Sequence, residues 1–160
     1  INTFEKKYEE KWLQMMRKKL GLLGNHSTDK TLILDLLTWM HQKKVDYNNT
    51  FCHLMNFDIK NIENYNDNDF QNWKQRWKER LLKNKNTTGK YMKLMRSANP
   101  LVIPRNHMVE EVLSEASAGK IDSLKKFLAV LNRPYSEQNN ISQYQISSNS
   151  NEKYQTFCGT

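Results

Sequence analysis

The chain has 160 residues, with 25 Lys and Arg against 17 Asp and Glu, a formal net charge of +8 and a sequence pI of about 9.4. Hydrophobic residues make up 38% and charged residues 26%, which fits one domain burying roughly two-thirds of its unfolded surface and excludes wholesale disorder. No apolar run approaches the ~18–20 residues that span a bilayer, no secretory pattern opens the chain, and Cys52 and Cys158 are too few for a disulfide scaffold or a zinc site.

The dominant period is helical. Phe4, Tyr8, Trp12, Met15 and Lys19 share one face, with Met16 and Leu20 beside it, so residues 3–20 read as an amphipathic helix that Gly21 and Gly24 end. Ser27 or Thr28 can cap the next helix, and Asp29 in its first turn favours the dipole. That helix carries Leu32, Ile33, Leu36, Leu37 and Met40 and runs to about Lys43. Asp46 is the expected cap of a shorter helix with Tyr47, Phe51, Leu54 and Met55 inward, and Cys52, within this pattern, is expected to be buried. Residues 56–67, rich in Asn and Asp, read as a loop with Ile59 and Ile62 tucked in.

Phe70, Trp73, Trp77 and Leu81 then form a single helical stripe. After a break from Asn84 to Thr88, Tyr91, Leu94, Met95 and Ala98 mark a short helix that Asn99-Pro100 stops. Pro104 is expected at the first position of the next helix, whose apolar face is Val109, Val112, Leu113 and Ala116, with Gly119 at its C-terminal turn. Asp122 is the expected cap of a last helix burying Leu124, Phe127, Leu128 and Leu131, and Arg133-Pro134 closes the pattern. No segment alternates with period two. The expected fold is all-α, a compact bundle of about six short helices over residues 1–135 followed by a polar, extended C-terminal tail over residues 136–160. Because the first residue is Ile1 and not Met, the chain is expected to be a piece of a larger protein or one with its start removed.

Catalytic and metal constellations do not assemble from these residues. His26, His41, His53 and His107 have no partner at a metal-ligand spacing and read as surface or capping residues. Gly89-Lys90 lacks the first glycine of a phosphate loop, and Tyr91 stands where Ser or Thr should be. The basic stretch is more suggestive: Lys74, Arg76, Lys78, Arg80 and Lys83 form a possible docking face, and Trp73 and Trp77 lie among them. Interleaved cations and aromatics can bind single-stranded nucleic acid. Yet both Trp residues share the inward stripe, so a solvated face over a Trp-rich core is the preferred reading, and nucleic acid is not the expected partner. Docking on an acidic surface of another domain is a third option. Cys158 closes a stretch of mostly Ser, Asn, Gln and Tyr that cannot bury a thiol locally. It is either a sulfur exposed for chemistry or, with Phe157, an anchor packed back on the body.

The segment Met95-Arg96-Ser97-Ala98-Asn99-Pro100-Leu101-Val102-Ile103-Pro104-Arg105-Asn106-His107 is more specific than any period. It continues through Glu110-Glu111-Val112 and Ala116-Ser117-Ala118-Gly119-Lys120 to Leu131-Asn132-Arg133-Pro134-Tyr135. This run resembles the C-terminal region of the selenoprotein O family, also called YdiU or UPF0061. Lys19-Leu20-Gly21-Leu22, Leu36-Leu37 and Asp46-Tyr47 with Thr50-Phe51 extend the resemblance over most of the chain.

The resemblance implies a protein nucleotidyltransferase with a kinase-like main domain that precedes Ile1. Such an enzyme transfers AMP, or UMP in bacterial members, from the nucleoside triphosphate to Ser, Thr or Tyr of protein substrates, with Mg2+ or Mn2+. Its ATP and metal sites map onto no residue here, so this piece alone is expected to be inactive and to bind no cofactor. It would pack on the kinase-like domain and work in the bacterial cytoplasm, or in mitochondria for eukaryotic relatives, without a membrane. Cys158 stands where the family keeps Cys or selenocysteine, which implies a redox role and a disulfide with a cysteine of the kinase-like part. Gly159-Thr160 follows it where Ser-Ser is usual. As a coil, a tail of some twenty residues reaches about 25 Å.

Overall fold

A computed structural model gives the fold and describes residues 2–57, 65–83 and 88–147. Among them the chain forms seven α-helices: α1 (Asn2–Lys19), α2 (Asp29–Lys43), α3 (Tyr47–Leu54), α4 (Asn68–Leu82), α5 (Thr88–Ala98), α6 (Asn106–Ser117) and α7 (Asp122–Leu131). A 3-10 turn, Ile141–Gln145, follows. The all-α expectation holds, with no strand among the described residues. Ile59, Ile62 and Cys158 lie outside them.

The α4 stripe is the centre of the core. Phe70, Trp73, Trp77 and Leu81 are all buried, and Phe51 and Phe70 are fully so, each burial stabilising by about 1.5–3 kcal/mol. Both indoles are satisfied as well as buried. Trp73 donates to the Leu32 carbonyl at 2.8 Å, and Trp77 donates to the Leu20 carbonyl at 2.9 Å. The second bond meets a carbonyl that the end of α1 leaves without a helical partner.

Gly21 ends α1. Its φ of 68° is left-handed, and the Leu22 N–H returns to the Arg17 carbonyl at 2.8 Å. A Cβ here would lie 3.0 Å from Met95 Cγ and 3.1 Å from the Tyr91 carbonyl oxygen. Only glycine supplies both the backbone angle and the close approach of α1 to α5. At α3, Asp46 caps as expected, its Oδ1 accepting from the Asn49 N–H at 2.8 Å.

Asp29 does more than oppose a helix dipole. It is fully buried in the first turn of α2. Its carboxylate accepts from Arg17 Nε of α1 at 2.7 Å, from Arg80 Nε of α4 at 2.7 Å and from the His26 N–H at 3.0 Å. One acid thus ties three helices. Burial pushes its pKa up, but the hydrogen bonds from Arg80, Arg17 and His26 outweigh burial and hold it below the ordinary carboxylate value.

Several sequence expectations change. Asp122 is the first residue of α7 and Ile121 stands at the cap, because the helical hydrogen bonds begin with the Lys125 N–H on the Ile121 carbonyl. Tyr47 on α3 is exposed, its ring set edge-on against Phe51. Phe4, Tyr8 and Met15 on α1 are 74%, 64% and 46% exposed, because α2 and α5 cover only the arc around Met16 and Leu20. Leu113 and Leu128 are likewise exposed, since α6 and α7 pack mainly on each other. Helix α6 opens at Asn106 and not at Pro104, as Arg105 keeps extended backbone (φ −92°, ψ 135°) while its guanidinium is held by Asp46.

Order also runs past Pro134 into the segment expected to be tail. The Leu101 N–H donates to the Pro134 carbonyl at 2.7 Å, and Tyr144 stacks on Phe127 at 5.5 Å. Gln145 is buried, donating to the Leu101 carbonyl at 2.9 Å while its own carbonyl accepts from Asn49 at 2.8 Å.

Asp29→Asn leaves two inward arginines without their counter-charge, which should cost about 3–5 kcal/mol at neutral pH. Because the folded-state pKa of Asp29 is depressed, its contribution is complete above the ordinary carboxylate pKa of ~3.9 and is lost as pH falls through the lower folded value. Urea unfolding followed by Trp fluorescence should therefore show a gap between the two proteins that is widest near neutrality and narrows in acid. A gap independent of pH contradicts the assignment.

Candidate functional site

The expected basic docking face divides on inspection. Arg80 belongs to the interior: it is buried and spent on Asp29 and the Leu23 carbonyl. Arg76 is exposed but paired with Asp35 at 2.7 Å. Lys74 is half-buried with its Nζ 5.9 Å from the Phe70 ring centre, and burial, aided by Lys78, lowers its pKa. Lys78 and Lys83 are exposed. With Thr28, Thr31, Leu32 and Glu79, residues Arg76, Arg80 and Lys83 line an open groove of about 260 Å³. Two of its three cations already have carboxylate partners and Glu79 sits in its wall, so it offers little net positive potential.

The motif residues between α5 and α6 form an internal brace. Asn99, fully buried, donates to the Lys19 carbonyl of α1 at 2.8 Å and to the Met95 carbonyl of α5 at 2.9 Å. The Pro100 carbonyl accepts from Asn48 of α3 at 3.1 Å. Arg105 grips Asp46 with two nitrogens, at 2.6 and 3.0 Å, and also donates to Asn49 Oδ1 at 3.0 Å. Such a planar two-bond fork fits a carboxylate as no lysine can. Burial raises the Asp46 pKa, but the Arg105 hydrogen bonds and the Asn49 N–H bring it below the ordinary value. Asn49 then passes the link to Gln145. The residues between α5 and α6 thus join α1, α3 and the last described turn.

Two reactive groups are enclosed by this brace. The Cys52 thiol is fully buried and lies 3.5 Å from the Pro100 carbonyl, and burial, aided by Asp46, pushes it up to about 12. Lys19 is buried, its Nζ 4.5 Å from the Phe51 ring centre and 3.4 Å from the Ala98 carbonyl. Burial lowers its pKa from the ordinary value. Neither is presented to a substrate.

The histidines are dispersed. His26 Nδ1 is 2.8 Å from Thr28 Oγ1, His41 is exposed, His53 stacks on Tyr65 at 4.1 Å, and His107 is half-buried. Among the described residues no group of three or more His, Cys, Asp or Glu could hold a metal ion. No helix among them is long and apolar enough to cross a membrane.

A thiol this buried should be silent. In a Cys158→Ser chain, a disulfide reagent at mildly alkaline pH should label less than about 0.1 equivalent without denaturant and a full equivalent with it. Full labelling of the native chain contradicts the burial of Cys52.

Comparison with known proteins gives this arrangement its relatives. The family model for protein adenylyltransferase SelO matches residues 1–132. A protein nucleotidyltransferase YdiU of Pelagibacter ubique (strain HTCC1062) is 49% identical over 161 residues, covering 100% of this chain and 33% of the relative. The protein of the same name from Alcanivorax borkumensis is 43% identical over 162 residues, covering 100% and 34%. That of Nitrosococcus oceani is 37% identical over 162 residues, covering 100% and 33%. The chain therefore spans about a third of the length of the curated relatives it matches. Matched over most of its length by the family model and over its whole length by these relatives, the chain belongs to the SelO family.

Proposed function

We propose that this chain is the C-terminal helical region of a SelO-type protein nucleotidyltransferase, which packs on a kinase-like domain and presents Cys158 as a regulatory thiol. The whole protein transfers AMP, or UMP, to Ser, Thr or Tyr hydroxyls of other proteins, with ATP and a divalent cation bound by the kinase-like domain. The observation that carries this reading is the coverage: all of this chain aligns with only a third of proteins named nucleotidyltransferases.

The described residues do not fit a nucleotide and its metal. Asp29 and Asp46, the carboxylates best placed by burial, are both held by arginines, and no further acid joins either. No step of the transfer is assigned to them. What these residues supply is rigidity. The Asn99–Arg105 brace holds α1, α3, α5 and the Gln145 turn in one arrangement. The described chain is thereby anchored at Gln145, thirteen positions before Cys158.

The burial and hydrogen bonding of Trp73 and Trp77 and the pairing of Arg80 with Asp29 support a partner other than nucleic acid. Neither indole is left open for a base to stack on.

The reading is tested by replacing the matching third of the Pelagibacter ubique protein with this chain. The joined protein should transfer nucleotide to protein at no less than about a tenth of the parent rate, a loss of under about 1.4 kcal/mol in transition-state stabilisation. Cys158→Ser in the joined protein should abolish the response of that rate to reductant. A folded but inactive joined protein contradicts the transferase reading, and an unchanged redox response contradicts the thiol role.

A further inference from the structure

Helix α1 is apolar over a wider arc than its own fold uses. At about 100° per residue, Phe4, Met15 and Tyr8 fall within ~40° of one another, Trp12 follows, and Met16, Leu20 and Leu13 complete an arc of ~180°. A helix on the surface of a globular domain needs an apolar stripe of only about 100°. Here Met16 and Leu20 are buried, Trp12 and Leu13 are half-buried, and Phe4, Tyr8 and Met15 stay 74%, 64% and 46% exposed. Phe4 and Tyr8 stack on each other at 6.4 Å, which orders the two rings but covers neither. The uncovered strip is continuous with the buried α1 interface, and its far edge carries the exposed Lys7, Lys11 and Lys18.

We infer that the outer strip of α1, formed by Phe4, Tyr8 and Met15 beside that lysine edge, is the seat for the rest of a SelO-type protein, which lays on it an apolar patch bordered by carboxylates. The inference rests on the proposed function, since its occupant is the two-thirds of the relatives' length that this chain lacks. That missing length supplies a cover, and the lysine row sets its charge. A second copy fits less well: it brings another net charge of +8 and another lysine row to the contact.

Hydroxyl-radical labelling compares this chain alone with the same chain joined to the Pelagibacter ubique remainder. Labelling of Phe4, Tyr8 and Met15 should fall by about fivefold or more in the joined protein. Equal labelling in the two overturns the inference, as does protection in the isolated chain that grows with its concentration, which identifies a second copy as occupant.

A substitution pair gives an independent reading. Phe4→Gln with Tyr8→Gln should leave the melting temperature of the isolated chain within about 1 °C while lowering that of the joined protein by about 3 °C or more. Equal shifts in both overturn the seat. Nucleotide transfer by the same joined protein reports separately on the parent reading. Activity without protection removes the seat alone, whereas protection without activity supports the seat and removes the transferase reading.

Discussion

The buried carboxylate of Asp29 is the constraint on which the rest of the structure hangs. Withdrawing an acid from water costs several kcal/mol, and that cost is offset only if its lone pairs are filled with good geometry. Two guanidinium groups and a backbone N–H fill them, and the first turn of α2 adds its dipole. The arginines come from two other helices, Arg17 from the last turn of α1 and Arg80 from the last turn of α4. With α4 set by this bond, Trp77 meets the end of α1 and Trp73 meets the first turn of α2, each through its indole N–H. The Asp46–Arg105 fork repeats the device at the start of α3. In both cases an acid at a helix N-terminus is claimed by an arginine more than fifty residues away.

What was legible in the sequence was whatever is local. The period of apolar residues located the helices, the Asp46 cap and the glycine end of α1 were readable from neighbours, and the α4 stripe named its buried aromatics. Non-local charge was not readable. Asp29 looked like a residue that merely suits a helix dipole because its partners lie 12 and 51 positions away. Arg80 did carry a missed signal: it stands seven residues after Trp73 and three after Trp77, within the inward stripe, yet its charge placed it with the docking face. The docking of residues 136–147 left little apolar period because only Ile141 and Tyr144 pack on the body and the hydrogen bonds of Gln145 and Asn49 complete the hold. Phe4 and Tyr8 show the reverse case, in which a true period points to a surface that this chain does not itself cover.

The residues between α5 and α6 are joints. Asn99, Pro100 and Arg105 each connect elements remote in sequence, and none is aimed at open solvent as a reactive group. Asn99 donates twice in a fully buried place, and the Arg105 guanidinium spans both oxygens of Asp46. This bracing role separates the contribution of this region from the chemistry of the complete transferase. The described helices build a braced support with an uncovered apolar strip on α1, and the proposed function leaves the nucleotide chemistry to the part of the relatives that this chain does not cover.

That division of labour is the central claim, and it is tested most directly by titrating the 160-residue chain with ATP in a calorimeter, with and without Mg2+. A flat titration up to about millimolar ATP, weaker than ~4 kcal/mol of binding free energy, is expected. Saturable micromolar binding that requires the metal contradicts it and places the nucleotide site within this chain.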